Sequence, residues 1–136
     1  METVLDRIRE INRTAAFNRW AGFEVVDASE GVASLRMPWR AELGQYVGNL
    51  HAGLMSALID TSCGYAASTL GGRVVASHCA VNYLRPGTGT AFLATARVVK
   101  SGRRQIFTVA ELHEEADGEG GPVLIATGET IFVPLG

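Results

Sequence analysis

Charge is missing from the middle of this chain. Between Leu43 and Gly72 there is no Lys, Arg or Glu, and the single carboxylate is Asp60. The only other titratable groups of note there are His51 and Cys63. Cysteine is scarce as well: Cys63 and Cys79 are the two in 136 residues, both in apolar segments, at a spacing that suits neither a metal nor a redox motif. They read as buried free thiols. No cluster of His, Cys and carboxylates has ligand spacing, so no metal or prosthetic group is implied. The net charge of −2 lacks the basic excess that nucleic acid or an anionic membrane attracts. Met1 to Arg7 runs straight into charges, unlike a secretory leader. The uncharged stretch is too rich in Gly, Ser and Thr, and too interrupted by Asp60, to span a bilayer. The expectation is a soluble cytoplasmic protein of one domain, residues 1–136, with 47% hydrophobic residues to build a core.

What is present changes period along the chain. Thr3 followed by Asp6 resembles a capping box with Asp in place of Glu. Val4, Leu5, Ile8 and Ile11 form one stripe, which predicts an amphipathic helix near 3–13. Phe17 and Trp20 extend the N-terminal helical segment to about 3–20. Strands are predicted over Phe23–Asp27 and Val32–Met37, with a turn at Ser29-Glu30-Gly31 and a stop at Pro38. A polar loop from Arg40 to Asn49 leads to a long apolar helix over roughly 52–69, ended by Gly71 and Gly72. Val74 to Leu84 then alternates, with Ser77, Cys79, Val81 and Tyr83 on one face and His78, Ala80 and Asn82 on the other. Further strands fall at Ala91–Val99, Gln105–His113 and Val123–Phe132, with a hairpin at Ser101-Gly102 and a polar loop from Glu114 to Gly121. A helix apolar on nearly all sides must be wrapped. An antiparallel sheet curling around it gives an α+β architecture with its core over about 23–133. Strands apolar on both faces, such as Ala91-Phe92-Leu93-Ala94, predict that a second subunit covers the outer face.

Gly48-Asn49-Leu50-His51-Ala52-Gly53, Asp60 nine residues after His51, and Asn82-Tyr83-Leu84-Arg85-Pro86 together resemble the hotdog-fold acyl-CoA thioesterases of the phenylacetate-pathway (PaaI-like) type. The likeness covers roughly residues 35–133. It implies a hotdog fold, hydrolysis of an acyl-CoA thioester to free acid and coenzyme A, no cofactor beyond the coenzyme A of the substrate, and a dimer or dimer of dimers. Asp60 matches the family's catalytic carboxylate, general base or nucleophile. Gln45, six residues before His51, matches the amide that orients the water or the thioester. Ala52 matches the residue whose N–H faces the thioester oxygen, and the role of His51 is positional. Asn49, Gly53 and Tyr65 are carried as substrate-binding candidates. The family pattern is His-Gly-Gly, so Ala52 is a departure: it keeps the N–H but adds a Cβ. A hydroxyl frequent on the strand after the helix aligns with Ala76 here, and Ser77 beside it is the candidate substitute. Arg85, Arg103 and Arg104 flank turns. Each is either a solvated turn residue or a contact for the phosphates of coenzyme A.

Physical reasoning reaches the same place. A helix N-terminus offers unpaired N–H groups and partial positive charge to an oxyanion, and His51-Ala52-Gly53 is such a terminus. A carboxylate supplies base or nucleophile. Ala52 and Asp60 stand eight residues apart on one helix, about 12 Å along its axis. They cannot reach one carbonyl within one chain. Two antiparallel helices about a two-fold axis bring Asp60 of one protomer to Gln45 and Ala52 of the other. Taken alone, Asp60 is also the kind of residue that bonds backbone or hydroxyl groups, Gln45 is an ordinary loop amide, and Tyr46, Met55 and Tyr65 either line an acyl pocket or are ordinary core residues. His78 and His113 read as strand residues without a role. Two other functions compete. One is a hotdog hydratase or dehydratase of enoyl or 3-hydroxyacyl thioesters, disfavoured by the position of His51 and the lack of a His-Phe-Pro loop. The other is a non-catalytic acyl-CoA binding protein, suggested by Ala52 and Ala76.

Overall fold

The computed structural model describes residues 1–118 and 120–136. Helix α1 (Val4–Thr14) starts at the capping box: Thr3 Oγ1 accepts the Asp6 N–H and the Asp6 carboxylate accepts the Thr3 N–H. Helix α2 (Ala16–Ala21) stops at Gly22, whose φ of +82° suits a residue without Cβ. Strands β1 (Glu24–Ser29) and β2 (Val32–Pro38) follow, then a short 3-10 turn (Ala41–Leu43) and helix α3 (Ala52–Gly71). The last four elements are β3 (Val74–Tyr83), β4 (Ala91–Ser101), β5 (Ile106–Glu115) and β6 (Val123–Pro134). Gly71 still belongs to α3, and Gly72, at φ +69°, ends it.

The six strands form one antiparallel sheet in the order β1-β2-β4-β5-β6-β3. Helix α3 lies on one face and touches all six strands. Leu54, Leu58 and Ile59 of α3 join Leu35, Met37, Phe92, Ile106, Leu112 and Phe132 of the strands in one apolar core. This is the expected α+β arrangement of an antiparallel sheet around a long helix. Helix and sheet come closest at Gly128. A Cβ there would lie 2.6 Å from Ile59 and 2.9 Å from the Ala80 carbonyl oxygen.

The N-terminal helices are stitched to this core by polar groups. Arg9 donates to the Val25 carbonyl at 3.1 Å and Asn12 to the Phe23 carbonyl at 2.9 Å. The Tyr65 hydroxyl of α3 donates to Asn12 Oδ1 at 2.7 Å and accepts from Asn18 Nδ2 at 3.0 Å. Burial pushes the Tyr65 phenol up to about 12.

Three expectations are corrected. Cys63 is buried, and burial pushes its thiol up to about 11, but Cys79 is exposed. The reason is that β3 is an edge strand, and Cys79 falls in its run of exposed residues although α3 touches the strand. Helix α3 is not enclosed on nearly all sides: Ala52 and Gly53 are exposed and Ser56, Ala57, Asp60, Thr61 and Gly64 are partly so, an open stripe of small and polar residues. The loop expected from Glu114 begins later, because β5 runs through Glu115 and the buried Glu114 carboxylate accepts from Thr88 Oγ1 at 3.2 Å. Glu119 of that loop lies outside the described residues.

Gly128→Ala tests the helix–sheet fit. The added methyl meets Ile59 and backbone, so a loss of about 1–3 kcal/mol is expected, read as a lower urea midpoint at unchanged slope.

Candidate active site

The loop before α3 is drawn tight by its own backbone. Gln45 N–H donates to the Asn49 carbonyl at 2.8 Å, Gly48 turns at φ +88°, and His51 N–H donates to the Leu43 carbonyl at 3.0 Å. The chain then enters α3 with His51 as N-cap: its Nδ1 accepts the Gly53 N–H at 2.8 Å. That bond leaves the proton of a neutral imidazole on Nε2. Leu54 and Met55 N–H groups return to the His51 carbonyl. The Ala52 N–H has no acceptor among the described residues and points from a helix terminus, where a developing oxyanion is best held.

Gln45 is fixed in a definite sense. Its Oε1 accepts two backbone N–H groups, Val47 at 2.8 Å and Asn49 at 3.2 Å. Only the oxygen of an amide accepts, so the NH₂ end is turned outward as a donor. Gln45, Asn49, His51 and Ala52 line one hollow of about 660 Å³ with Met55, Tyr83 and Arg85.

Asp60 lies elsewhere. It borders a second hollow of about 710 Å³ with Thr61, Gly64, Tyr65, Asn18, Arg73, Ala76 and Phe132. Asp60 Oδ1 is buried and has no hydrogen-bond partner among the described residues, which disfavours the structural reading in which it bonds neighbouring hydroxyls. Desolvation raises its pKa. The two halves of the expected chemistry thus occupy two separate hollows of the chain.

The remaining sequence candidates divide. Gly53 is beside His51 at the helix start. Tyr65 lines the Asp60 hollow and Arg85 the hollow of Ala52. Ser77 sits at a bulge of β3 and donates to the Ile131 carbonyl at 3.2 Å; Ala76, not Ser77, lines the Asp60 hollow. Arg103 and Arg104 lie at the β4–β5 hairpin, the end of the sheet where Gly71 of α3 abuts Ile106, away from the hollow of Ala52. Sequence reasoning missed Arg73, although it is the first charge after the uncharged stretch. It also missed Ser56, whose hydroxyl pairs with that of Tyr83. No group of three or more His, Cys, Asp or Glu side chains that would hold a metal occurs among the described residues.

A family model described as the thioesterase superfamily matches residues 47–120, the segment that carries His51, Ala52 and Asp60. The chain belongs to the thioesterase superfamily. The reaction class of that superfamily is thioester hydrolysis. The acyl-coenzyme A thioesterase PaaI of Escherichia coli is 33% identical over 84 residues, 61% of this chain and 60% of that protein. The chain therefore spans less than two thirds of that relative's length. Among solved structures, a thioesterase family protein from Silicibacter pomeroyi superposes with a TM-score of 0.90 at 30% identity, covering 96% of this chain and 97% of that one. The E. coli PaaI structure superposes with a TM-score of 0.87 at 23% identity, over 98% and 94% of the two chains. The chain thus has the hotdog fold.

The raised Asp60 pKa has a consequence for stability. In the window above the ordinary carboxylate value of 3.8 and below the raised value, the folded state binds more protons than the unfolded one, so stability falls as pH rises. Asp60→Asn removes that loss. The variant is expected to melt higher than wild type at pH 7–8, with the gain shrinking towards pH 4, in thermal melts across that range.

Proposed function

We propose that this chain is an acyl-CoA thioesterase working at two equivalent sites of a two-fold dimer. Each site joins Asp60 of one protomer to Gln45 and Ala52 of the other. The observation that carries this reading is that the free Ala52 N–H and the unpartnered Asp60 oxygen lie in different hollows on one rigid helix. One chain holds both halves of the chemistry but cannot bring them to the same carbonyl.

In the general-base route, Asp60 takes a proton from water and the hydroxide adds to the thioester carbon. The oxygen becomes an oxyanion facing the Ala52 N–H and the α3 terminus. The C–S bond then breaks, giving the free acid and the coenzyme A thiolate, which takes up a proton. In the nucleophile route, Asp60 attacks the thioester carbon, the C–S bond breaks to release the coenzyme A thiolate, which takes up a proton, and water hydrolyses the acyl-enzyme anhydride to free acid and carboxylate. Both routes use the same atoms. The Gln45 NH₂ orients the thioester or water, and Arg85, which lines the same hollow, would meet a coenzyme A phosphate. The acyl group would occupy the Asp60 hollow, lined by Gly64, Tyr65 and Phe132.

A second copy also fits the open side of the fold. Edge strand β3 carries ten residues without a Pro, Lys, Arg, Asp or Glu, so apart from its bulge at Ser77 it lacks the charges and prolines that keep an edge from pairing. The stripe of α3 beside it is small and polar.

Free-thiol release from a panel of phenylacetyl, benzoyl, short and medium aliphatic acyl-CoA tests the activity. Asp60→Asn is expected to lose at least about 100-fold in kcat with the fold intact. Wild-type kcat/KM should rise with pH along an acidic limb placed above 3.8. Saturable binding without turnover on every thioester would instead establish a silent acyl-CoA binder. Arg85→Ala should raise KM for acyl-CoA while leaving a truncated pantetheine thioester unaffected; equal effects on both would remove Arg85 from phosphate binding.

A further inference from the structure

We propose that Ser56 lies on the two-fold axis of that dimer, and that the Ser56–Tyr83 hydroxyl pairs of the two protomers meet there and set the register of the composite sites. The inference rests on the composite-site reading above and adds the residues that fix it.

Ala52 and Asp60 stand four residues before and four after Ser56. That spacing keeps all three on one helix face. When two antiparallel copies of α3 bring residue 52 opposite residue 60, residue 56 falls opposite itself. Ser56 is partly exposed on the open stripe, and its neighbours Gly53 and Ala57 are small enough for the two backbones to approach.

The hydroxyl chemistry points the same way. Two other α3 hydroxyls turn back onto their own helix: Ser62 donates to the Ile59 carbonyl at 3.1 Å and Thr69 to the Ala66 carbonyl at 2.7 Å. Ser56 instead pairs with the Tyr83 hydroxyl at the end of β3. Two hydroxyls have two protons, and the bond between them uses one. The other proton and the remaining lone pairs have no partner among the described residues, and Tyr83 is 51% exposed. A second identical pair, related by a dyad, has the complementary donors and acceptors. Four hydroxyls then close a ring that only this register completes.

Cysteine cross-linking reads the placement directly. In a Cys79→Ser background, Ser56→Cys is expected to form an intersubunit disulfide on mild oxidation, seen as a reducible dimer on denaturing gels. Thr61→Cys should not, because it lies about 15 Å along the axis from its own mate in this register. Tyr83→Phe should raise the dimer Kd about tenfold or more, since the lost hydroxyl counts in both protomers; this arm stands even if Ser56→Cys fails to fold. Mixing Asp60→Asn with Gln45→Ala protomers tests the underlying reading, with about a quarter of wild-type turnover expected from the heterodimers. Complementation with Thr61→Cys linking and Ser56→Cys not linking, or with dimer Kd unchanged in Tyr83→Phe, would overturn the role of Ser56 and Tyr83 and leave the composite site standing. No complementation would overturn the composite site and this inference with it.

Discussion

A straight helix cannot bring its two ends together, and everything distinctive in this chain follows from that rigidity. Helix α3 runs 20 residues, about 30 Å, through the centre of the fold. It must shed water along most of its surface to hold the sheet, which is why the stretch that forms it carries no Lys, Arg or Glu. The same burial makes its one carboxylate expensive. Asp60 keeps a buried oxygen without a partner, a loss that packing alone does not explain. Asp60 is the one charged side chain on this helix, and the fold carries the cost of its desolvation.

The parts of the structure legible in the sequence are those set by local rules. The Thr3–Asp6 box, the apolar run of α3 and the alternation of β3 each announce themselves within a dozen residues, and all appear. The N-terminus of α3 was legible for the same reason: capping and the turn before it are written in neighbouring residues. What stayed hidden depends on position in the sheet. Cys79 sits in an apolar segment yet is exposed, because nothing in β3 itself states that it is an edge. Ser77 was a fair candidate by order along the strand, but a bulge directs it to the Ile131 carbonyl and leaves Ala76 facing the hollow. The Ser56–Tyr83 pair joins residues 27 apart, a contact with no local signature.

The two hollows also differ in how their polar groups are held. Around Ala52 the backbone does the work: Gln45 and His51 are pinned by N–H groups of their own loop, so their free ends are fixed by elimination. Around Asp60 the walls come from distant elements, α1, α2, β3 and β6. A pocket assembled from remote pieces changes shape through substitutions that leave the hollow of Ala52 untouched. Under the proposed function, acyl preference would drift while the helix terminus stays constant.

The order of strands has an effect on how the molecule is made. Strand β3 is synthesised directly after α3, yet its only neighbour in the sheet is β6, the last strand of the chain. Until residues 123–134 leave the ribosome, β3 has both edges open, and it is a neutral, Pro-free, ten-residue segment. Helix and central strands can gather early, but the sheet closes only when residues 123–134 arrive. The vulnerable interval of this protein lies in its synthesis, between the making of β3 and the making of its partner.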